Sequence, residues 1–409
     1  MMDEKNIIEA DENAGNIVID MGSLFTKCGF SGDDAPRGVF PTIIGKARFQ
    51  GFTHMKQFYV GEEAMAKRGM LRLRYPINCG VVTNWDNYES LLRHCFYSEL
   101  GVDPKEYGSL LMERPLAPKK DQEKKIEIMF ETFEIQRLSL TTQALMSLII
   151  QEKESGLVVD MGGKFTSIVP ILDHKIQNKS VLNLQINGSD LTEQLYRSLS
   201  LEGYSVTGTC ERGIINDMKH KLCYVSSNYW EEAKIENEEL FAKSYELPDS
   251  MIITLKKSRF AVPELIFQPY IGIQQLMGTK EKSQLNTLNY PENAITEHDE
   301  NGLFKKPLHY AVHETVTKFE QSQQSTLLKN IVLSGGSSMF PGLDQRLGLE
   351  LTKLFDQQTK ISSKNNNNIY NAWVGGSYFV SLPDFNEKSV LKDEYMEFGL
   401  SIFEKKGIN

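Results

Sequence analysis

Cysteine is scarce in this chain. Five occur in 409 residues, at positions 28, 79, 95, 210 and 223, an odd number with no CxxC pair. That pattern fits a reducing compartment better than a disulfide framework or a zinc site. Basic charge is also in deficit. Lys and Arg number 45 against 54 Asp and Glu, a net charge of −9, so the clustered positive face that nucleic acid requires is not expected. A subunit of an assembly whose other members touch DNA stays compatible with that charge. The richest apolar stretch, LSLTTQALMSLII, is too short and too polar to span a bilayer. The opening MMDEKNIIEADENAG is acidic and has no apolar h-region, so a secretory leader is not expected and solvation is its simplest role. With 40% apolar and 24% charged residues, the chain can bury a sizeable core, and its length suggests roughly two to three domains.

Strands alternate with helices in both halves. Residues 16–30, NIVIDMGSLFTKCGF, read as a β-hairpin: Ile17, Val18 and Ile19 favour a strand, and Gly22-Ser23 permit a tight turn. Residues 156–171, GLVVDMGGKFTSIVPI, repeat the pattern, with Asp160 in the place of Asp20. Residues 84–100 read as a helix with Tyr88, Leu91, Leu92, Cys95, Phe96 and Leu100 on one face and a capping box from Asp86 and Glu89. A second amphipathic helix over 120–134 turns Ile126, Met129, Phe130 and Phe133 inward. NGSDLTEQLYRSLSLEGY gives a helix started by Asp190 and Glu193, residues 211–225 are helical, and 329–351 read as strand, glycine loop and helix. The fold class is therefore α/β, with two halves of similar topology. The polar stretch 280–306 and the Asn tract 362–368 read as added loops.

The doubled hairpin invites a chemical reading. A glycine turn between two strands gathers several backbone N–H groups in one concavity, which binds an anion without a charged side chain. An aspartate at the end of the preceding strand can hold a water of bound Mg²⁺, which keeps much of its hydration shell. Two such turns can grip a polyphosphate as one clamp, with Lys27 reaching back to it. One DMG turn is only a turn; the matching flanks and the later LSGGSSMFPG carry the reading. There Gly335 and Gly336 allow close backbone approach to a flat base, with Met339 and Phe340 as apolar walls. Other features read as structure. His309 and His313 lie four apart with no third ligand in view, Cys223 reads as a buried small apolar residue, and KKDQEKK at 119–125 reads as a solvated helix start.

Longer segments resemble actin and the actin-related proteins: GDDAPRGVFPTIIG, YVGEEAMAKRGMLRLRYPI, GVVTNWDNYESLLRHCFYSEL, KLCYV, SYELPD and VLSGGSSMFPG, in the same order and over about 16–402. The resemblance implies an actin-like two-lobed fold, each lobe a mixed sheet with helices, with a nucleotide cleft between the lobes. Residues 1–150 with 371–409 would form the first lobe, with 42–75 as its small insert. Residues 151–370 would form the second, with 187–275 as its insert. The implied cofactors are ATP or ADP with Mg²⁺ or Ca²⁺. Asp20 and Asp160 would hold the metal through water. Gly22, Ser23, Leu24, Lys27, Gly162, Gly163, Lys164, Lys219, Gly335, Gly336, Met339 and Phe340 would hold the nucleotide, and Gln143 would position the attacking water.

Departures from the family pattern shape the expected activity. Leu24 stands where the first loop has a second glycine, and Gly163 and Lys164 stand where the second has Asp and Gly. Ser167 replaces a histidine near the attacking water, His220 a ribose-contacting Glu, Asn216 an Arg one turn earlier, and Ile369 an adenine-side Lys. Losing a well-placed catalytic partner costs ~10²–10⁴-fold in rate, so the expectation is nucleotide binding with, at most, slow ATPase activity. Lys164 adds positive charge beside the phosphates. The loop 46–58 is shorter than actin's and carries Phe49, Phe52 and Phe58, so filament formation is in doubt. The expected role is a structural subunit of a cytoskeletal multiprotein assembly in the cytoplasm, with protein partners and no direct contact to nucleic acid or membrane. The alternative is a nuclear actin-related subunit of a chromatin-remodelling complex. A sugar or acetate kinase of the wider superfamily would need a general base facing a small-molecule pocket, and no candidate for one is present.

Overall fold

The computed structural model describes residues 15–48, 56, 58–204, 211–247, 249–269, 306–362, 368–382 and 385–407. The chain forms two compact units, Met1–Met146 with Ala372–Asn409, and Ser147–Asn371.

The first unit is organised by a six-stranded sheet. Asn16–Met21 pairs antiparallel with Phe25–Phe30 and parallel with Gly108–Glu113, which pairs parallel with Arg137–Thr142. Gly38–Pro41 and Val390–Leu391 close its two edges. The β-branched run Ile17, Val18 and Ile19 is fully buried, as a strand covered on both faces requires. The expected helix over 84–100 forms as Trp85–Arg93 and continues as a π-helical segment, His94–Leu100. Its cap differs from the expectation. Asn84 accepts from the Asn87 N–H at 2.8 Å, while Glu89 instead pairs with Arg93 at 2.7 Å. The helix begins two residues earlier than the Asp86–Glu89 box needs, so Asp86 lies inside the first turn. The helix over 119–127 likewise runs on as a π-helical segment, Ile128–Thr132, and buries Ile126, Met129, Phe130 and Phe133. Within KKDQEKK, Lys125 departs from the solvated reading: it is buried and pairs with Glu113 at 2.7 Å. A small sheet of Tyr59–Val60, Ile44–Ala47 and Leu71–Arg74 has its own core of Ile43, Tyr59, Ala64 and Leu71.

The second unit repeats the motif. Gly156–Met161 pairs antiparallel with Thr166–Leu172 and parallel with Ile331–Ser334, which pairs parallel with Ile361–Ser362. In each sheet, then, a hairpin's first strand lies beside a parallel neighbour. The helix Gly188–Leu201 is capped by Asn187, whose side chain accepts from Ser189 and Asp190 while Asp190 accepts from the Asn187 N–H. The expected Asp190 is part of that box, but Glu193 is not; it pairs with Arg212 at 3.0 Å. Glu211–Leu222 is helical and Cys223–Val225 are not. Glycine loop and helix follow Ile331–Ser334 as Gly336–Met339, a 3₁₀ turn, and Leu343–Phe355. The acidic N-terminal stretch to residue 14, Phe49 and Phe52, residues 280–305, Cys210 and residues 363–367 of the Asn tract lie outside the described residues. Ser362 belongs to a strand, and Phe58 is exposed.

Candidate functional site

Each unit carries one glycine turn, and the two turns are built alike. In the first, the Gly22 N–H donates to the Phe25 carbonyl at 3.0 Å; in the second, the Gly162 N–H donates to the Phe165 carbonyl at 2.8 Å. A Cβ on Gly22 would lie 2.8 Å from the Phe25 oxygen, and one on Gly162 would lie 2.7 Å from the Phe165 oxygen. Only glycine closes either turn this tightly. Among the described residues the Ser23, Leu24 and Gly163 N–H groups have no protein acceptor. Both turns thus offer the donor-rich concavity that suits an anion.

In the first unit the turn is flanked by charge. Asp20 is buried and accepts from Lys27 Nζ at 2.8 Å and from Gln143 Nε2 at 2.5 Å. The lysine comes from the facing strand, at the position opposite Asp20, and Gln143 opens the helix Gln143–Ile149. Ser23 Oγ accepts from the Gly80 N–H at 3.0 Å. Leu24 is half-buried in the turn. Lys27, Asp20 and Gln143 therefore form one hydrogen-bonded group beside Gly22 and Ser23.

In the second unit the turn is joined to two neighbouring segments. The Gly188 N–H donates to the Gly162 carbonyl at 3.0 Å and the Ser189 N–H to the Gly163 carbonyl at 2.7 Å. A Cβ on Gly188 would lie 2.6 Å from Ser337 Oγ and 3.3 Å from Gly163 Cα, so this glycine lets a helix start directly against both the turn and the glycine loop. Gly335 adopts φ +85° and ψ 161°, and a Cβ there would meet the Met161 carbonyl at 2.6 Å and Asp160 Oδ1 at 2.7 Å. Asp160 and Lys164 are half-buried. Gly336 lies near Ile369 and His220, Phe340 is buried with its ring stacked against His220, and Met339 is exposed.

Lys219 is buried and donates from Nζ to Gly188 O at 2.7 Å, Thr192 Oγ1 at 2.9 Å and Asn216 Oδ1 at 3.0 Å. Burial pulls its pKa down to about 8, because a desolvated ammonium disfavours its charged form. Its ammonium therefore supports the start of the helix behind the second turn. Ser167 is fully buried, and its hydroxyl has no partner among the described residues. Cys223 is buried, with its thiol pushed up to about 12 by burial, which is the chemistry of an inert core residue. Among the described residues no group of three or more His, Cys, Asp or Glu is placed to hold a metal. His309 stacks on Phe267 and His313 packs against Phe355.

The residues fit a phosphate ligand on observations in each unit: glycines whose Cβ would strike the turn, N–H groups lacking protein acceptors, and an aspartate ending each preceding strand. Sequence reasoning missed the residues that hold the turns, namely Thr26, Thr42, Gly80, Gly188 and Ser189. Their only sequence signal is small size or a hydroxyl, which does not single them out.

The chain is α/β and builds the same motif, a glycine-turn hairpin beside a parallel strand, once in each of two units. The family model described as Actin matches residues 11–408. Putative actin-29 of Dictyostelium discoideum is 35% identical over 416 residues, covering 98% of this chain and 99% of that protein. The chain belongs to the actin family, whose members bind ATP or ADP with a divalent metal ion. No helix among the described residues is long and apolar enough to cross a membrane.

Proposed function

We propose that this chain is an actin-like, nucleotide-binding structural subunit of a cytoskeletal multiprotein assembly in the cytoplasm, with weak or no ATP hydrolysis and poor self-polymerisation. The observation that carries the nucleotide reading is the matched pair of turns at Gly22 and Gly162, each closed by a glycine whose added Cβ would strike a carbonyl of the turn. The N–H groups of Ser23, Leu24 and Gly163 would bind phosphate oxygens, with Lys27 and Lys164 adding charge. Asp20 and Asp160 would hold waters of the cation, which supplies further neutralisation of the phosphates when bound. Gly335, Gly336, Met339 and Phe340 would border the base. Lys219 would act on the nucleotide from behind the second turn through Gly188.

Weak turnover follows from Ser167. In-line attack needs a positioned water and a partner for its proton. Gln143 is held by Asp20, and a buried hydroxyl stands where the family has an imidazole, so one member of the water network is missing at a cost of ~10²–10⁴-fold. The departures from actin in the loop 46–58 and the addition of 280–306 support poor polymerisation.

The test begins with purified full-length protein, denatured to release nucleotide for chromatography, then assayed for phosphate release and for sedimentation as filaments. Co-purified ATP or ADP with little phosphate release and no pellet is expected. Protein that carries no nucleotide, and whose melting temperature is unmoved by millimolar ATP with Mg²⁺, would refute the reading, because a ligand at 100 times its Kd stabilises by about 2.7 kcal/mol.

A further inference from the structure

A trans peptide holds its carbonyl and the following N–H on opposite sides. Whatever grips the carbonyl of the turn glycine therefore aims the next N–H into the concavity. In the second unit the Gly188 N–H grips the Gly162 carbonyl at 3.0 Å. In the first unit no helix start does this. The Thr42 hydroxyl donates to the Gly22 carbonyl at 2.8 Å, and the Thr42 N–H donates to the Leu24 carbonyl at 2.9 Å. Thr42 Oγ1 has one proton, already given to Gly22, so its 2.9 Å contact with Thr26 Oγ1 runs from the Thr26 hydroxyl to Thr42. Both threonines are fully buried, and in this setting an unmade hydrogen bond is costly. The two units thus meet one requirement with unrelated groups, a helix N-terminus in one and a two-hydroxyl relay in the other. In both turns the glycine carbonyl is thus fixed from outside the turn, and the direction of the following N–H with it.

We propose that Thr26 and Thr42 are positioning residues for phosphate binding: the relay Thr26 to Thr42 to the Gly22 carbonyl fixes the peptide plane that points the Ser23 N–H at the ligand. This rests on the nucleotide reading above and deepens it. Neither threonine touches the ligand; each acts through the turn. Thr42 also lies between the strand Gly38–Pro41 and the strand Ile44–Ala47, so the relay ties the phosphate turn to the small three-stranded sheet of the first unit.

The variants are Thr42→Val, Thr42→Ser and Thr26→Val in the full chain. Valine keeps the shape and removes the hydroxyl; serine keeps the hydroxyl. The readouts are the Kd for a fluorescent ATP analogue with Mg²⁺ and the melting temperature with and without ATP. Thr42→Val is expected to weaken binding about 3- to 10-fold, the factor for one hydrogen bond, and to shrink the ATP-dependent rise in melting temperature. Thr42→Ser is expected to restore both, and Thr26→Val to show a smaller loss. A purely structural role would lower the ATP-free melting temperature and leave the ATP-dependent rise intact, which overturns the proposal. Wild-type Kd values in Thr42→Val and Thr26→Val overturn it too. Should Thr42→Val fail to fold, Thr26→Val decides alone. Wild-type protein that binds no analogue refutes instead the nucleotide reading itself.

Discussion

Replacing Gly335 by alanine tests whether the glycine loop is set by sterics. Two separable penalties apply. The first is conformational: φ +85° with ψ 161° is a region open essentially to glycine alone, at about 1–3 kcal/mol for any other residue. The second is contact: the new methyl would sit 2.6 Å from the Met161 carbonyl oxygen, 2.7 Å from the Met161 carbonyl carbon and 2.7 Å from Asp160 Oδ1. Two of those atoms are backbone of the central strand Gly156–Met161 and cannot swing aside, so overpacking adds about 1–3 kcal/mol. The sum, about 2–6 kcal/mol, is a large part of the ~5–15 kcal/mol that holds a typical domain folded. Gly203 in the same unit supplies the control. It has φ +89° and nothing within 4 Å of its hypothetical Cβ, so Gly203→Ala carries only the left-handed penalty of about 1–2 kcal/mol. Urea unfolding of both variants, followed by hydrogen exchange of residues 156–172 to isolate the second unit, gives the comparison. Gly335→Ala should be clearly the more damaging and should also weaken nucleotide binding by displacing Asp160. If the two alanines cost the same, close approach of the loop to the strand is not what demands glycine at 335, and the steric reasoning fails.

Two further predictions concern buried charge. Lys219 has a pKa near 8 in the folded chain against an ordinary value of 10.5, so between those values the unfolded state binds more protons and stability rises with pH, by up to ~3 kcal/mol; urea midpoints at pH 7.5 and 10 should show that rise in the wild type and not in Lys219→Met, and equal slopes would contradict it. Arg346 donates to Glu264 at 3.1 Å and to the Ser226 carbonyl at 2.9 Å, and burial has pushed the Glu264 carboxyl up to about 7 despite that partner. A carboxyl raised in the folded state destabilises it progressively as pH climbs towards the folded value, and removing the guanidinium moves that value higher still. Arg346→Met should therefore cost up to about 2 kcal/mol more at pH 8.5 than at pH 6, since each pH unit above the wild-type value of about 7 adds at most ~1.4 kcal/mol, with Glu264→Gln/Arg346→Met removing that pH dependence; a penalty independent of pH would show that the charge of Glu264 is not the cause.

The chain's local segments determined a good deal unaided. The hairpins at 16–30 and 156–171 were legible because a β-branched run and a glycine turn are adjacent in sequence and constrain each other over a few residues. The inward faces of the helices near 90 and 130 were legible because their apolar period is local as well. Asp20, Asp160 and the glycines at 22, 162 and 335 stood out because turn chemistry restricts which residues fit. Caps were less legible: Asn84 and Asn187 displaced the expected pairings because a shift of two or three residues at a helix start reassigns every capping role. What only the tertiary structure decided is which groups hold the turns in place. Thr42 reaches Gly22 across 20 positions of sequence, Lys219 reaches Gly188 across 31, and Lys219 turns inward to meet the Thr192 hydroxyl across 27. Such partners are chosen by which strands and helices pack together, and packing depends on the whole core rather than on the residues flanking either partner.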